Sequence, residues 1–146
     1  MRLLRWLPLC LLPLATALGA HDLDAAAQRE YRQCLKDTAA AAQACSFGGC
    51  CTIQASCYQR QRAVFDAAAE RVAAGLRSGR CAASARRLDA DVETLATRLS
   101  QLPELEASYS ALELQVRLAA FRQWALQALA QECAVAPTAA PSPAER

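Results

Sequence analysis

Apolar residues recur every three or four positions along most of this chain, which is the spacing of amphipathic helices. The clearest pattern lies between residues 88 and 102, where the apolar positions are Leu88, Val92, Leu95, Leu99 and Leu102. Steps of four, three, four and three residues form a heptad seam, and charged residues occupy the other sides. No stretch shows the two-residue alternation of a strand. The pattern therefore predicts an all-α protein.

Four helices follow from the breaks in this spacing. The first begins at a capping Asp22 or Asp24 and runs to about Cys45, and the second begins at a capping Thr52 and runs to about Leu76. The turns between helices are the glycine-containing segments 46–51 and 78–80, and Pro103 ends the third helix and opens the fourth. The predicted buried positions of the first two helices are Leu23, Ala27, Tyr31, Cys34, Thr38, Ala41, Cys45, Phe65, Ala68, Val72 and Leu76.

The fourth helix carries two apolar stripes instead of one. The first consists of Leu105, Tyr109, Leu112, Val116 and Ala119, and the second of Leu114, Leu118, Phe121, Ala125 and Ala128. A helix with two apolar stripes packs against two neighbours, as in a bundle. We therefore predict an all-α, disulfide-stapled, up-and-down bundle of about four helices over residues 21–134.

The first 20 residues have the organisation of a secretory signal. Arg2 and Arg5 precede an apolar stretch, and small residues allow cleavage after Ala17 or Ala20. Arg5, Pro8 and Pro13 interrupt the apolar character of the first 20 residues, so the apolar stretch is too short for a stable membrane anchor. We expect a secreted protein of the bacterial periplasm. Residues 135–146 are rich in proline and alanine and read as a disordered tail.

Charge and histidine content exclude several function classes. The only histidine is His21, so a Ser-His-Asp triad, an HExxH zinc site and a CxxCH haem attachment are excluded. Without the leader, 14 basic residues balance 14 acidic ones, and a neutral chain offers no overall attraction to nucleic acid. We therefore expect a protein that is not an enzyme, binds no nucleic acid and needs no cofactor or metal.

Seven cysteines follow the leader, namely Cys34, Cys45, Cys50, Cys51, Cys57, Cys81 and Cys133. In an oxidising compartment the simplest interpretation is three disulfides and one remaining cysteine. An up-and-down bundle places only Cys81 and Cys133 at one end, which favours a bond between them. The other five lie towards the opposite end, where two bonds would join the first helix to the second.

Two alternatives use the same cysteines. Cys45, Cys50, Cys51 and Cys57 could supply four thiolates to zinc or copper(I), although the CxxC pairs of a zinc knuckle are absent. The adjacent Cys50 and Cys51 could also support thiol redox chemistry, because a strained or unpaired thiol is reactive. Secretion favours disulfides over both alternatives.

Two segments resemble the secreted lysozyme-inhibitor-like helical domain family. The first is Cys51-Thr52-Ile53-Gln54-Ala55-Ser56-Cys57 with its following helix and Asp66, and the second is Phe121-Arg122-Gln123-Trp124 leading to Cys133. The resemblance implies a two-helix hairpin with Cys51 and Cys57 beside Cys133. That arrangement competes with the bond between Cys81 and Cys133 that the up-and-down topology favours.

The resemblance implies that the protein binds and inhibits a lysozyme or another envelope-directed hydrolase. Inhibition of this kind requires a rigid rim that presents a carboxylate or an arginine to the cleft of the enzyme. The candidate rim residues on the second helix are Arg60, Arg62, Asp66 and Glu70, which could equally form a solvated helix face. The competing hypotheses are a cysteine-based redox or metal-handling protein and a structural envelope protein that pairs through the leucine seam of the third helix.

Overall fold

The computed structural model describes residues 20–45, 50–105 and 108–134. Residues 1–19 of the predicted signal, residues 46–49 of the first predicted turn and the predicted tail at 135–146 lie outside the described residues. So do the side chains of residues 20, 21, 50 and 51, which include His21, Cys50 and Cys51.

The described residues form helices and no strands, which confirms the predicted all-α class. The helices are α1 at Ala20–Asp37, α2 at Ala39–Gln43, α3 at Cys50–Leu76, α4 at Ala82–Ser100 and α5 at Tyr109–Ala134, with a 3-10 turn at Pro103–Leu105. No helix in these ranges combines the length and the apolar character needed to cross a membrane.

The predicted first helix is interrupted once, at Thr38. The Thr38 hydroxyl donates a hydrogen bond of 2.7 Å to the Cys34 carbonyl, which also accepts the Thr38 backbone N–H at 3.0 Å. This back-bonding distorts a helix without ending its course, because it occupies the carbonyl of the preceding turn. The chain therefore continues from α1 directly into the short α2.

Two predicted helix starts are wrong. Helix α1 already begins at Ala20 and helix α3 at Cys50, so Asp22 lies inside the first turn of α1 and Thr52 inside that of α3. In both helices the sequence before the predicted cap is compatible with helix, and a capping residue alone does not fix the first turn. The predicted stop at 78–80 is correct, since Gly79 adopts φ +116°, a conformation that favours glycine.

The connection between α4 and α5 also differs from the prediction. Pro103 opens only the 3-10 turn, and α5 begins at Tyr109. The hydroxyl oxygen of Ser108 accepts the Ala111 backbone N–H at 3.1 Å, so Ser108 caps α5. A serine that precedes the apolar stripe of α5 was the available signal for this start.

Ion pairs and disulfides define the direction of each neighbouring helix. Helices α3 and α5 run parallel, since Arg62 contacts Gln115 and Glu70 contacts Arg122 at separations of 53 and 52 residues. Helix α1 runs antiparallel to α3, and α4 runs antiparallel to α5. The most extensive packing joins α3 to α5, followed by α1 to α3 and α4 to α5, whereas α3 and α4 barely touch.

Small residues build the core, which has two parts. Around fully buried Leu126 the buried residues are Ala69, Ala73, Leu76 and Ala85, and around Phe65 they are Ala27, Val116 and Ala119. Alanine at most of these positions allows the helix backbones to approach closely. Helix α5 contributes to both parts, as its two stripes predict.

Among the side chains that the structure describes, two disulfides join the helices. Cys34 of α1 is bonded to Cys57 of α3, and Cys81 before α4 is bonded to Cys133 of α5. The bond between Cys81 and Cys133 confirms the prediction from the up-and-down topology. The resemblance implies a hairpin with Cys57 beside Cys133, but Cys57 is bonded to Cys34 instead. Cys45 lies half-buried after α2.

Part of the predicted seams faces solvent. Leu95, Leu102, Tyr109 and Phe121 are between 43% and 47% exposed, and Ala41 is also exposed. A heptad seam is buried only where a partner helix lies along it. Helix α4 is in extensive contact with α5 alone, so Val92 is buried while Leu95 and Leu102 are not.

Candidate binding groove

A groove of about 420 Å³ runs between α3 and α4, with α5 as its floor. It exists because α3 and α4 both pack extensively on α5 and touch each other only slightly. Its lining combines an apolar part, Val92, Ala96, Leu118 and Ala119, with a polar part, Arg62, Asp66, Asp89, Glu93, Gln115 and Arg122.

Arg122 on the floor is the least exposed charged group of the groove, with 18% of its side chain accessible. Its Nε donates to Asp89 of α4 at 2.9 Å, and one terminal nitrogen donates to Glu70 of α3 at 2.7 Å. The other terminal nitrogen lies 3.9 Å from a carboxylate oxygen of Asp66. One guanidinium therefore links all three helices.

The same contacts raise the pKa of Arg122. The hydrogen bond to Asp89 is the largest cause, and the bond to Glu70 adds to it, while partial burial acts in the opposite direction. Arg122 is consequently a permanent positive charge, and its planar fork suits simultaneous contact with several carboxylates.

The structure brings together three of the four residues predicted for the rim. Arg62 donates to Asp66 at 3.0 Å within α3 and to the Gln115 side chain of α5 at 3.3 Å. Asp66 and Glu70 both face Arg122, so its guanidinium offsets the repulsion between these two carboxylates. Arg62, Asp66 and Glu70 are each more than a third exposed and are accessible to a ligand.

Arg60 does not belong to this site. Its Nε donates to Glu30 at 2.6 Å, and a terminal nitrogen donates to Asp37 at 3.3 Å, both on α1. The hydrogen bond to Glu30 is the largest cause of its raised pKa. A two-residue step along a helix turns the side chain by about 200°, so Arg60 and Arg62 lie on different sides of α3.

The sequence prediction omitted Asp89, Gln115 and Arg122 as site residues. A signal for Arg122 was present, because it stands four residues from both Leu118 and Leu126 and therefore on the apolar side of α5. A charge in an apolar stripe indicates a partly buried ion pair. Asp89 and Gln115 carry no comparable signal, since their roles depend on the register between helices.

The four thiolates proposed as zinc or copper(I) ligands are not all free to bind a metal. Cys57, one of its four proposed thiolates, is bonded to Cys34. Within the described ranges, no three His, Cys, Asp or Glu residues are grouped so that they could hold a metal ion. The redox alternative depends on Cys50 and Cys51, whose side chains are not among those that the structure describes.

The groove is electrostatically asymmetric. Two guanidinium groups of the lining, Arg62 and Arg122, face three carboxylates, Asp66, Asp89 and Glu93. Glu70 lies beside the groove and is bonded to Arg122, so the groups together carry a net charge of −2. Arg122 is already bonded to carboxylates, whereas Glu93 on α4 is exposed. Such a surface attracts cationic groups and can hold them by charge-assisted hydrogen bonds.

Comparisons with protein-family models, curated proteins and solved structures found no match to this chain.

Proposed function

We propose that this protein is a secreted, non-catalytic binding protein that recognises a protein partner through the groove between α3, α4 and α5. The observation that carries the proposal is the cluster around Arg122. A guanidinium anchored by carboxylates from two other helices holds the rim at Asp66 and Glu70 in place before any ligand arrives. Preorganisation of this kind lowers the entropic cost of binding.

The charge of the groove favours a partner that presents a basic side chain. A lysine or arginine entering the groove would meet the carboxylates of Asp66 and Glu93, and its aliphatic stem would lie along Val92 and Leu118. The apolar part of the lining supports this second contact. We therefore expect recognition to be both ionic and apolar.

The resemblance to the lysozyme-inhibitor-like domain supplies the partner class. We propose that the partner is a lysozyme or another hydrolase of the bacterial envelope, and that the protein acts as its inhibitor. The rim formed by Arg62, Asp66 and Glu70 is the surface that would contact the enzyme.

The test is a titration of a lysozyme with the chain from residue 21, with lysis of cell walls as the readout. We expect stoichiometric inhibition, and at least a tenfold higher inhibitory concentration for the Asp66→Asn/Glu70→Gln double variant. These changes remove charge while keeping side-chain size. The matched control is Asp91→Asn, an exposed carboxylate of α4 that does not line the groove.

Full lysis at a severalfold excess of the protein would remove lysozyme as the partner. Equal inhibition by the double variant and the wild type would remove the groove as the binding surface. The two results are distinguishable, because the first concerns the enzyme and the second concerns the location of the contact.

A further inference from the structure

The outward face of α5 carries an exposed aromatic pair. Phe121 is 47% and Trp124 is 58% exposed, and their ring centroids lie 6.0 Å apart. Both residues are directed away from Val116, Ala119 and Leu126, which α5 buries in the core. Adjacent exposed aromatic rings indicate a surface that is covered by another molecule or segment.

Five residues form this outward ridge of α5 in the order Arg117, Phe121, Trp124, Ala128 and Glu132. Their steps of four, three, four and four positions keep them on one helix face. Arg117 lies at one end of the ridge, is 74% exposed and forms an ion pair of 2.6 Å with Glu113 of the preceding turn, and exposed Glu132 lies at the other end. Its middle is aromatic, with a small residue beyond it at Ala128.

We propose that the occupant of this ridge is a second copy of the same chain, with the two α5 helices antiparallel around a twofold axis near residues 124 and 125. In this register Arg117 of one copy meets Glu132 of the other, and Phe121 lies over Ala128. The two Trp124 side chains meet at the axis. Twofold symmetry produces each contact twice.

Charge complementarity selects the antiparallel arrangement. A parallel pairing would place the two Glu132 carboxylates against each other, and like charges in contact oppose association. The antiparallel register instead brings each Glu132 to the Arg117 guanidinium of the other copy. The small side chain of Ala128 leaves a space on the helix surface, and Phe121 of the other copy can pack into that space.

Exposed apolar side chains of α4 offer further surface for association. Asp89, Val92, Glu93 and Ala96 of α4 line the groove towards α3, and exposed Leu95 and Leu102 lie on another side of the helix. A stable dimer buries about 800 Å² on each copy, which is more than one helix ridge of roughly 22 Å supplies. We therefore expect an association in the micromolar range that includes α4.

The experiment is sedimentation equilibrium of the chain from residue 21 over a wide range of concentrations. Trp124 is the only tryptophan after residue 20, so its fluorescence emission should shift to longer wavelength as dilution separates the copies. We expect Arg117→Glu and Glu132→Arg each to weaken association about tenfold, and the double variant to return it to within about threefold of the wild type.

The matched control is Arg29→Glu, a charge reversal at an exposed position of α1 that should leave association unchanged. Trp124→Ser provides a second disruptive variant, and circular dichroism establishes that each variant keeps its helices. A monomer at all concentrations would contradict the proposal, as would a double variant no tighter than the single variants.

The same measurements distinguish the second copy from two other possible occupants of the ridge, namely the tail at residues 135–146 and an unrelated partner. If deletion of residues 135–146 strengthens association or moves Trp124 emission in the monomer, the tail covers the ridge and the proposal is wrong. If the chain stays monomeric with or without the tail, the ridge serves an unrelated partner, and the second copy is again excluded.

Discussion

Helices α1 and α4 flank the same pair of central helices, yet only α1 closes on α3. On the α1 side, the disulfide between Cys34 and Cys57 lies within both helices, and the rings of Tyr31 and Tyr58 are 5.0 Å apart. Arg60 adds ion pairs to two carboxylates of α1. On the α4 side, the disulfide joins only the helix ends, and α3 and α4 remain separated by the groove.

The difference originates in the residues that face the gap. Facing α1, the basic Arg60 of α3 meets acidic Glu30, so the two surfaces attract each other. Facing α4, α3 presents Asp66 and Glu70 opposite Asp89 and Glu93, and like charges on both walls oppose closure. Arg122 of α5 contacts carboxylates on both walls and offsets this repulsion, but its side chain does not fill the gap between α3 and α4. The Cys34–Cys57 disulfide therefore lies within an interface whose surfaces attract each other, whereas Cys81–Cys133 joins α4 to α5 and does not link α4 to α3.

The largest expected effect is on stability and tests whether the two disulfides differ. Removing Cys81–Cys133 by paired serine substitutions should lower the free energy of unfolding by about 4 kcal/mol, and removing Cys34–Cys57 by about 3 kcal/mol. The bonds close chain separations of 52 and 23 residues, and the longer loop restricts the unfolded chain more. Urea denaturation of both double variants measures the difference.

A reversed order of these two values would change the comparison. It would mean that the tight packing of α1 on α3 depends on its disulfide, whereas the core around Leu126 retains α4 without one. Adding a reductant to the wild type should remove both contributions together and lower the melting temperature.

An intermediate effect concerns the two arginines. Arg122→Met should cost about 2 kcal/mol, because partly buried carboxylates lose their hydrogen bonds and repel each other. Arg60→Met should change stability little, since exposed ion pairs contribute little. Thermal unfolding of both variants measures this contrast. The Arg122→Lys variant keeps the positive charge but loses the planar guanidinium, so it separates the effect of charge from that of the multiple hydrogen bonds. Equal effects at both positions would show that the groove cluster is no more important for stability than the α1 contact.

The smallest effect is spectroscopic and tests how closely α1 covers α3. Burial raises the pKa of Tyr58 above its ordinary value near 10, and hydrogen bonding with Tyr31 adds to the shift. The neutral form is favoured in the folded protein, so this contribution to stability is complete below pH 10 and is lost as the pH rises above that value. Ultraviolet titration of tyrosine ionisation should show a late phase that Tyr58→Phe removes. A titration without such a phase would mean that α1 leaves Tyr58 open to water.

Local sequence determined most of the helical architecture. The three- and four-residue spacing of apolar residues predicted every long helix, and the sequence around Gly79 predicted where α3 ends. Alternation of up and down helices was enough to predict the bond between Cys81 and Cys133, because it leaves only those two cysteines at one end. These features depend on the spacing of apolar residues and on the alternating direction of the helices, and both can be derived from the order of residues along the chain.

Only the tertiary structure decided the site and the exposed surfaces. Arg62, Asp66 and Glu70 were candidates from sequence, but their meeting with Arg122 and Asp89 depends on the parallel register of α3 and α5. Whether Leu95 is buried depends on where the neighbours of α4 lie, and the heptad spacing is the same in either case. A periodic pattern fixes which residues share a helix face, whereas the packing of the other helices fixes what that face meets.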